Sequence, residues 1–377
     1  MKSNKLIRLS KCSLSDKTID FVNEALSSSY LGMGEFVKRF EDKLKYYFGR
    51  EVITVSSGTT ALHLALESLN FKQSDEIIAP SITYLSTFQA IVAAGLKPVA
   101  CDVNLNGQIC QKSLKSLINE NTKAIIPVHY AGNSFDIEGI YSIAKEYNLR
   151  IIEDAAHAFG SKHKNKLIGS FGDIVCFSFD GIKNITCGEG GCIITDDREL
   201  QEKIKSKRSL GVDNDYKKRF KNQRVWEPTV TTIGWRAHMS NVHAAIGLSQ
   251  LEIMNKNFNA RKELARYYLE KISFLNDFID VIDISNEHVP HIFPILLRNE
   301  GRDSLRRFLS EFNIETGIHY YPCHLLDLFK TKYDLKNALY FYQNTISLPL
   351  HPNLKKDDID FIVDKLNNFF KSKNAVI

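Results

Sequence analysis

Between residues 51 and 195 the chain alternates short, apolar, β-branched runs with amphipathic helical stretches, and this alternation leaves few folds open. The strand candidates are residues 51–55, 76–79, 98–102, 124–128, 150–153, 174–179 and 192–195. Each is short and rich in Ile and Val, as strands buried on both faces of a parallel or mixed sheet should be. Between them, Leu62, Ala65, Leu66 and Leu69 fall at i, i+3, i+4 and i+7 and mark one apolar helical face. Segments 84–94, 111–118 and 136–147 are similar in length and pattern. Alternation of this kind builds βαβ units and a three-layer α/β/α domain with a mixed, mostly parallel sheet.

After about residue 250 the character changes. A long helix is expected over 241–274, then a strand (291–297), a helix (303–311) and a closing amphipathic helix (356–370). This tail reads as a smaller α+β domain. A length of 377 residues suits two domains, and the expected division is 1–250 and 251–377. No repeat, low-complexity stretch or linker separates the two, so they should pack tightly.

Composition bounds what this frame carries. Hydrophobic residues make up 44% and charged residues 25%, values ordinary for a soluble globular protein. The net charge of +5 suits an anionic small molecule and is too weak to argue for nucleic acid. One local excess, Lys217, Lys218, Arg219, Lys221 and Arg224, reads either as a solvated loop or as a contact for a phosphorylated ligand. The seven cysteines form no CxxC pair, and several sit in apolar runs where Cys acts as a small hydrophobe. A reducing, cytoplasmic compartment is the simplest reading, and no metal site is expected. The start, MKSNKLIRLSKCSLSDK, is basic but lacks an apolar h-region. No run approaches the ~18 apolar residues that span a bilayer, so no membrane partner is expected. The sequon Asn184-Ile185-Thr186 is discounted for a cytosolic chain.

Three segments carry chemistry. Ser56-Ser57-Gly58-Thr59-Thr60 follows a strand and opens a helix, where free amides and the positive dipole end favour a phosphate. The same residues would serve as plain N-caps. No GxxxxGK[ST] and no GxGxxG is present. In Ile151-Ile152-Glu153-Asp154-Ala155-Ala156-His157, Asp154 stands at the carboxyl end of a strand, where ligands of open α/β sheets gather; it could equally cap the next helix. In Ser178-Phe179-Asp180-Gly181-Ile182-Lys183-Asn184, Lys183 follows a strand in a short loop, ahead of the turn Gly188-Glu189-Gly190-Gly191. A lone loop lysine is normally a solvated charge. An acid at one strand end, a Ser–Lys loop at another and a Ser/Gly/Thr helix start together suit pyridoxal 5′-phosphate (PLP). A Lys amine condenses with its aldehyde, a carboxylate keeps its pyridine nitrogen protonated, and a helix N-terminus takes its phosphate.

In combination these segments resemble the DegT/DnrJ/StrS family of PLP-dependent aminotransferases, which aminate keto-sugars, commonly sugar nucleotides. The likeness runs over nearly the whole chain. It takes in Gly34 with Phe40-Glu41, Pro80-Ser81-Ile82-Thr83-Tyr84, Pro127-Val128-His129, Ala158-Phe159-Gly160, Ala244-Ala245-Ile246-Gly247 with Gln250-Leu251, and His319-Tyr320-Tyr321-Pro322-Cys323-His324. It implies PLP-dependent transferase fold type I, with Lys183 as the Schiff-base lysine and Asp154 on the pyridine nitrogen. His157 would contact the ring hydroxyl, Tyr84 would stack on the ring, and Gly58, Thr59 and Ser178 would hold the phosphate. His319, Tyr320 and His324 would line the sugar side. Relatives with His at the lysine position dehydrate instead of transaminating, and Lys183 argues against that branch.

One departure stands out. Where family members often read Gly-Tyr-Asn-Tyr-Arg-Met, this chain reads Gly234-Trp235-Arg236-Ala237-His238-Met239. Arg236 thus replaces an Asn that reaches across a dimer interface to the phosphate, a task a guanidinium can also perform. The resemblance further implies a homodimer with shared active sites, L-glutamate as amino donor, and a nucleotide-linked keto-deoxysugar as acceptor. The favoured acceptor is dTDP-4-keto-6-deoxyglucose, for surface polysaccharide such as O-antigen. GDP- or UDP-linked 4-keto sugars and 3-keto sugars are alternatives, and a non-catalytic PLP-binding sensor is a remote one.

Overall fold

A computed structural model describes residues 5–299 and 301–374. Two helices, α1 (Asp16–Ser27) and α2 (Glu35–Phe48), precede the first strand, β1 (Val52–Val55). The alternating region follows as α3 (Gly58–Ser68), β2 (Glu76–Pro80), α4 (Ser86–Ala93), β3 (Lys97–Cys101), α5 (Gln111–Leu117), β4 (Thr122–Ile125), α6 (Ile137–Glu146) and β5 (Arg150–Asp154). A two-stranded hairpin, β6 (Lys162–His163) and β7 (Lys166–Leu167), leads to β8 (Ile174–Ser178) and β9 (Gly191–Thr195). Each of the seven strand candidates belongs to one sheet of order β1-β9-β8-β5-β4-β2-β3. β9 alone is antiparallel to its neighbours β1 and β8; the remaining pairs are parallel.

The strands read as continuous apolar runs because both faces are covered. On β8, Val175 and Phe177 enter one core with Phe40, Phe48 and Phe159, while Ile174 and Cys176 enter the other with Leu62, Leu66 and Ile152. Successive side chains of a strand point to opposite faces, so one strand feeds both layers. Each such buried side chain contributes on the order of 1.5–3 kcal/mol. Helix starts follow their caps: Ser57, Asp136 and Asp197 accept from the amides of Thr60 (3.1 Å), Gly139 (3.1 Å) and Leu200 (3.0 Å). These caps aim α3, α6 and α7 (Arg198–Lys207).

The basic run expected as a loop begins inside a short helix, α8 (Asp215–Arg219), where Arg219 pairs with Asp215 one turn away. Helix α9 (Asn241–Ile272) then runs 32 residues from the first core, at Ala244 and Leu248, to a third, at Leu264, Ala265 and Tyr268. Residue 250 lies inside it. The third core belongs to the tail: β10 (Ile279–Val281), β11 (Phe293–Leu297), α10 (Arg302–Ser310), α11 (Lys336–Asn344), β12 (Thr345–Leu348) and α12 (Lys356–Asn374), with β10-β11-β12 an antiparallel sheet. Ile7 joins this core through a bridge to Ile314, so the chain's N-terminal segment packs on its tail. Buried Arg261 of α9 donates to the carbonyls of His291 (3.0 Å) and Leu350 (3.2 Å), and burial lowers its guanidinium to about 10. That clamp fixes His291 over the carboxyl ends of the large sheet's strands.

Candidate active site

A cavity of about 410 Å³ opens at the carboxyl ends of β5 and β8, the edge where open α/β sheets bind ligands. β5 and β8 pair with Asp154 opposite Cys176, which sets Asp154 beside Ser178 and the loop after it. In that loop the Lys183 amide donates to the Asp180 carbonyl (3.1 Å), and the Asn184 carboxamide donates to the carbonyls of Phe159 and Val289 (3.2 Å each). Lys183 is thereby held half-buried, lining the cavity together with Asp154.

Asp154 is 6% exposed. Its Oδ2 accepts from Thr87 of α4 (2.9 Å) and its Oδ1 from the Ala156 amide (3.2 Å). Thr83, 2.9 Å from Thr87, completes the support. A carboxylate has about four acceptor positions, so both oxygens keep capacity toward the cavity. Burial raises the Asp154 carboxyl, opposed by Thr87, Ala156 and the charge of Lys183. Burial also lowers the Lys183 amine, opposed by Asp154 and Asp180. A lowered amine is the state a nucleophilic lysine needs.

His157 is buried; its Nδ1 accepts from the Ala131 amide (3.3 Å) and its Nε2 lies 2.9 Å from the Tyr320 hydroxyl. Burial holds it neutral, well below the usual histidine range. Tyr84 stands at the rim, 61% exposed, its ring 5.7 Å from that of Tyr320. At the other end, Ser57 takes the Thr60 amide with its hydroxyl and the Ala61 amide with its carbonyl. Gly58 and Thr59 both line the cavity, and their amides are the two of α3's first four left without an intrahelical partner. A Cβ on Gly58 would lie 2.7 Å from the Ser178 Cβ, so only glycine lets the helix start approach the strand end this closely.

Two expected residues lie elsewhere. His324 is not among the cavity residues: its Nδ1 is 2.6 Å from the Ser81 hydroxyl, which also accepts its amide (3.3 Å), so a tight turn aims the ring at the β2 loop. Arg236 is exposed and outside the cavity of its own chain, its backbone bridged to Ser209. His319 does line the cavity, with Nδ1 2.8 Å from the Ser347 hydroxyl, and burial lowers it to about 4. The structure adds Asp180 and Glu189, which stand in the quoted motifs without an assigned role, and His291, which no motif marks. His291 is buried, its ring 4.4 Å from that of His157.

A lysine of lowered basicity, a buried carboxylate with open acceptor positions, and two free amides at a helix start match the aldehyde, ring nitrogen and phosphate of one ligand. They fit PLP, and with this fold they define a PLP-dependent transaminase. The DegT/DnrJ/EryC1/StrS aminotransferase family model matches residues 13–367, and the chain belongs to that family. It is 35% identical over 376 residues to GDP-perosamine synthase of Escherichia coli O157:H7, covering 98% of this chain and 100% of that one. Among solved structures, Helicobacter pylori PseC, an aminotransferase involved in the biosynthesis of pseudoaminic acid, superposes with a TM-score of 0.92 at 30% identity, over 98% of this chain and 100% of that one. Bacillus subtilis NtdA, solved with bound PMP, the aminated form of the cofactor, superposes with a TM-score of 0.88 at 28% identity, over 98% and 87%.

Proposed function

We propose that this transaminase carries an amino group from L-glutamate to the ketone of a nucleotide-linked keto-deoxysugar, in the making of a surface polysaccharide such as O-antigen. The observation that carries the site assignment is Lys183 and Asp154 facing one cavity, with the open amides of Gly58 and Thr59 at its end. Lys183 would hold the cofactor aldehyde and Asp154 the pyridine nitrogen. Gly58, Thr59 and Ser178 would hold the phosphate, and Tyr84 would cover a ring face. Bound there, PLP supplies an aldehyde that condenses with amines and a protonated ring that accepts the electron pair left when a substrate α proton departs. Asp154, raised by burial, shares and so retains that ring proton. The Lys183 Nζ, lowered by burial, takes the α proton from one carbon and returns it to the next.

The acceptor nucleotide has two readings. Thymidine, as in dTDP-4-keto-6-deoxyglucose, is the reading favoured by the family resemblance; guanosine is favoured by the GDP-perosamine synthase that aligns over nearly the full chain. A homodimer completes the proposal. Leu210, Trp226, Val230, Ile233 and Trp235 are exposed apolar residues in the same segment as Arg236. Covered by a second copy, that segment would carry Arg236 toward the neighbouring phosphate end. The large body would comprise 1–250 and the small one 251–377, joined through α9.

The test is a panel of dTDP-, GDP- and UDP-linked keto sugars incubated with glutamate, with products separated and identified by mass. We expect one nucleotide sugar to be aminated with stoichiometric release of 2-oxoglutarate, and Lys183→Ala to lose both this turnover and the lysine-linked absorbance band. Amination of a free ketone and of no nucleotide sugar sinks the acceptor reading. Turnover retained by Lys183→Ala sinks the site.

A further inference from the structure

The cleft contains a hydrogen-bond chain whose direction can be read from its far end. The Ala131 amide donates to His157 Nδ1, and a backbone amide can only donate, so Nδ1 bears its lone pair and the ring is not doubly protonated. The single ring proton therefore sits on Nε2, which donates across 2.9 Å to the Tyr320 hydroxyl oxygen. With its oxygen accepting from His157, the phenol must direct its own proton elsewhere, and Tyr320 lines the cavity. The geometry behind His157 is stiff. Ala131 has φ +59°, and a Cβ on Gly132 would strike the Val289 carbonyl oxygen at 2.4 Å. Of the two other nearby phenols, buried Tyr130 donates to the His319 carbonyl, while Tyr84 stands at the rim, 61% exposed and outside this chain of hydrogen bonds.

We propose that Tyr320, and not His157, is the group that donates a hydrogen bond to an acceptor oxygen at the reacting centre, with His157 as the positioning residue that aims it. The inference rests on the PLP reading of the cleft. The family resemblance sets His157 against the cofactor's ring hydroxyl, yet its one ring proton is committed to Tyr320, so the phenol is the next donor in line. Burial, with Tyr130, Asp154, Tyr84 and Asp180 around it, pushes the phenol well above its ordinary range. Tyr320 therefore keeps its proton while Lys183, His157, His291 and His319 titrate beneath it. The acceptor is either the ring oxygen of the cofactor or an oxygen of the substrate at the carbon being aminated.

The experiment compares wild-type and Tyr320→Phe holoprotein. It follows the pH titration of the lysine-linked absorbance band, then the glutamate and ketone half-reactions separately in single turnovers. If the ring oxygen is the acceptor, the titration midpoint of the variant moves by about one to two pH units, the scale of one hydrogen bond to a charged group. If the substrate oxygen is the acceptor, the midpoint stays and the ketone half-reaction alone slows by roughly tenfold or more. His157→Gln, whose carboxamide can still donate to the phenol, should move the affected readout less than His157→Leu. An unchanged midpoint with both half-reactions intact in Tyr320→Phe overturns the inference. A wild-type protein that binds PLP but forms no lysine-linked band overturns the reading of the cleft, and the inference falls with it.

Discussion

Glu153 and Asp154 are consecutive residues of one strand, and both are buried, yet their surroundings differ in kind. Glu153 is fully enclosed, with Oε2 2.8 Å from His129 Nε2 and Oε1 accepting from the Tyr141 hydroxyl at 2.6 Å. Tyr141 accepts in turn from the Asp173 amide at 2.9 Å. Gly172 closes on this group so tightly that a Cβ there would lie 2.4 Å from Glu153 Oε1. On the opposite face, Asp154 has a threonine, one amide and a cavity. A buried carboxylate whose partners are all protein groups cannot be removed without leaving those groups unpaired. One that keeps acceptor positions toward a cavity is held ready for a ligand.

The largest expected effect tests the closed side. Glu153→Ala removes one member of a buried pair and strands His129 and Tyr141, so it should cost about 3–5 kcal/mol of unfolding free energy in denaturant. Turnover of the folded fraction should stay. Loss of the cofactor band with little loss of stability would erase the distinction between the two carboxylates. Next comes the open side. Asp154→Asn should lower transaminase turnover by ~10²–10³-fold, the scale of losing one electrostatic stabiliser of the transition state. Unfolding of the cofactor-free protein should be no easier, because an amide avoids the burial penalty that raises this carboxyl. A variant that unfolds more readily and turns over normally would make Asp154 a structural acid like its neighbour.

The difference between the two acids could not be read from Glu153-Asp154 itself, because alternation puts them on opposite faces without saying which face has a cavity. The large sheet was readable in detail, since a strand buried on both faces has a pattern with few rivals. Helix α2 was also there to be read: Phe36, Val37, Phe40, Leu44 and Phe48 keep a helical period. His291 was not, because it reaches His157 only through the clamp of Arg261 and the fold-back of the tail. His324 misled by proximity. It lies within five residues of His319 and Tyr320, but a one-turn 3₁₀ segment at Cys323–Leu325 sends its ring to Ser81. Arg236 is exposed and outside the cavity of its own chain, and the contact proposed for it, across two copies, lies beyond any pattern within one chain.

The smallest effect separates the Asp154 face from the rest of the molecule by pH. His157 and His291 are buried there and lowered well below their usual value, and His319 is lowered to about 4. Each ring has a folded pKa below its unfolded value, so between the two the unfolded chain binds more protons. Their contribution is therefore complete above about pH 6.5 and is lost as pH falls toward the folded values. For His157 and His291 the loss approaches about 1.4 kcal/mol per pH unit per ring. Glu138 behaves oppositely in position: Lys164 and His163 hold its carboxyl at about 2, so what it contributes persists until pH drops below the ordinary glutamate range. The Glu138 window opens only below about pH 4.5, whereas the histidine decline begins at about pH 6.5. Unfolding followed from neutral pH down to about 5 should therefore show a decline owed to histidines, and His157→Gln should remove about one ring's share of its slope. A slope unchanged by that substitution would mean that His157 takes up a proton as readily in the folded protein as in the unfolded chain, and that its hydrogen bonds to Ala131 and Tyr320 do not hold it neutral.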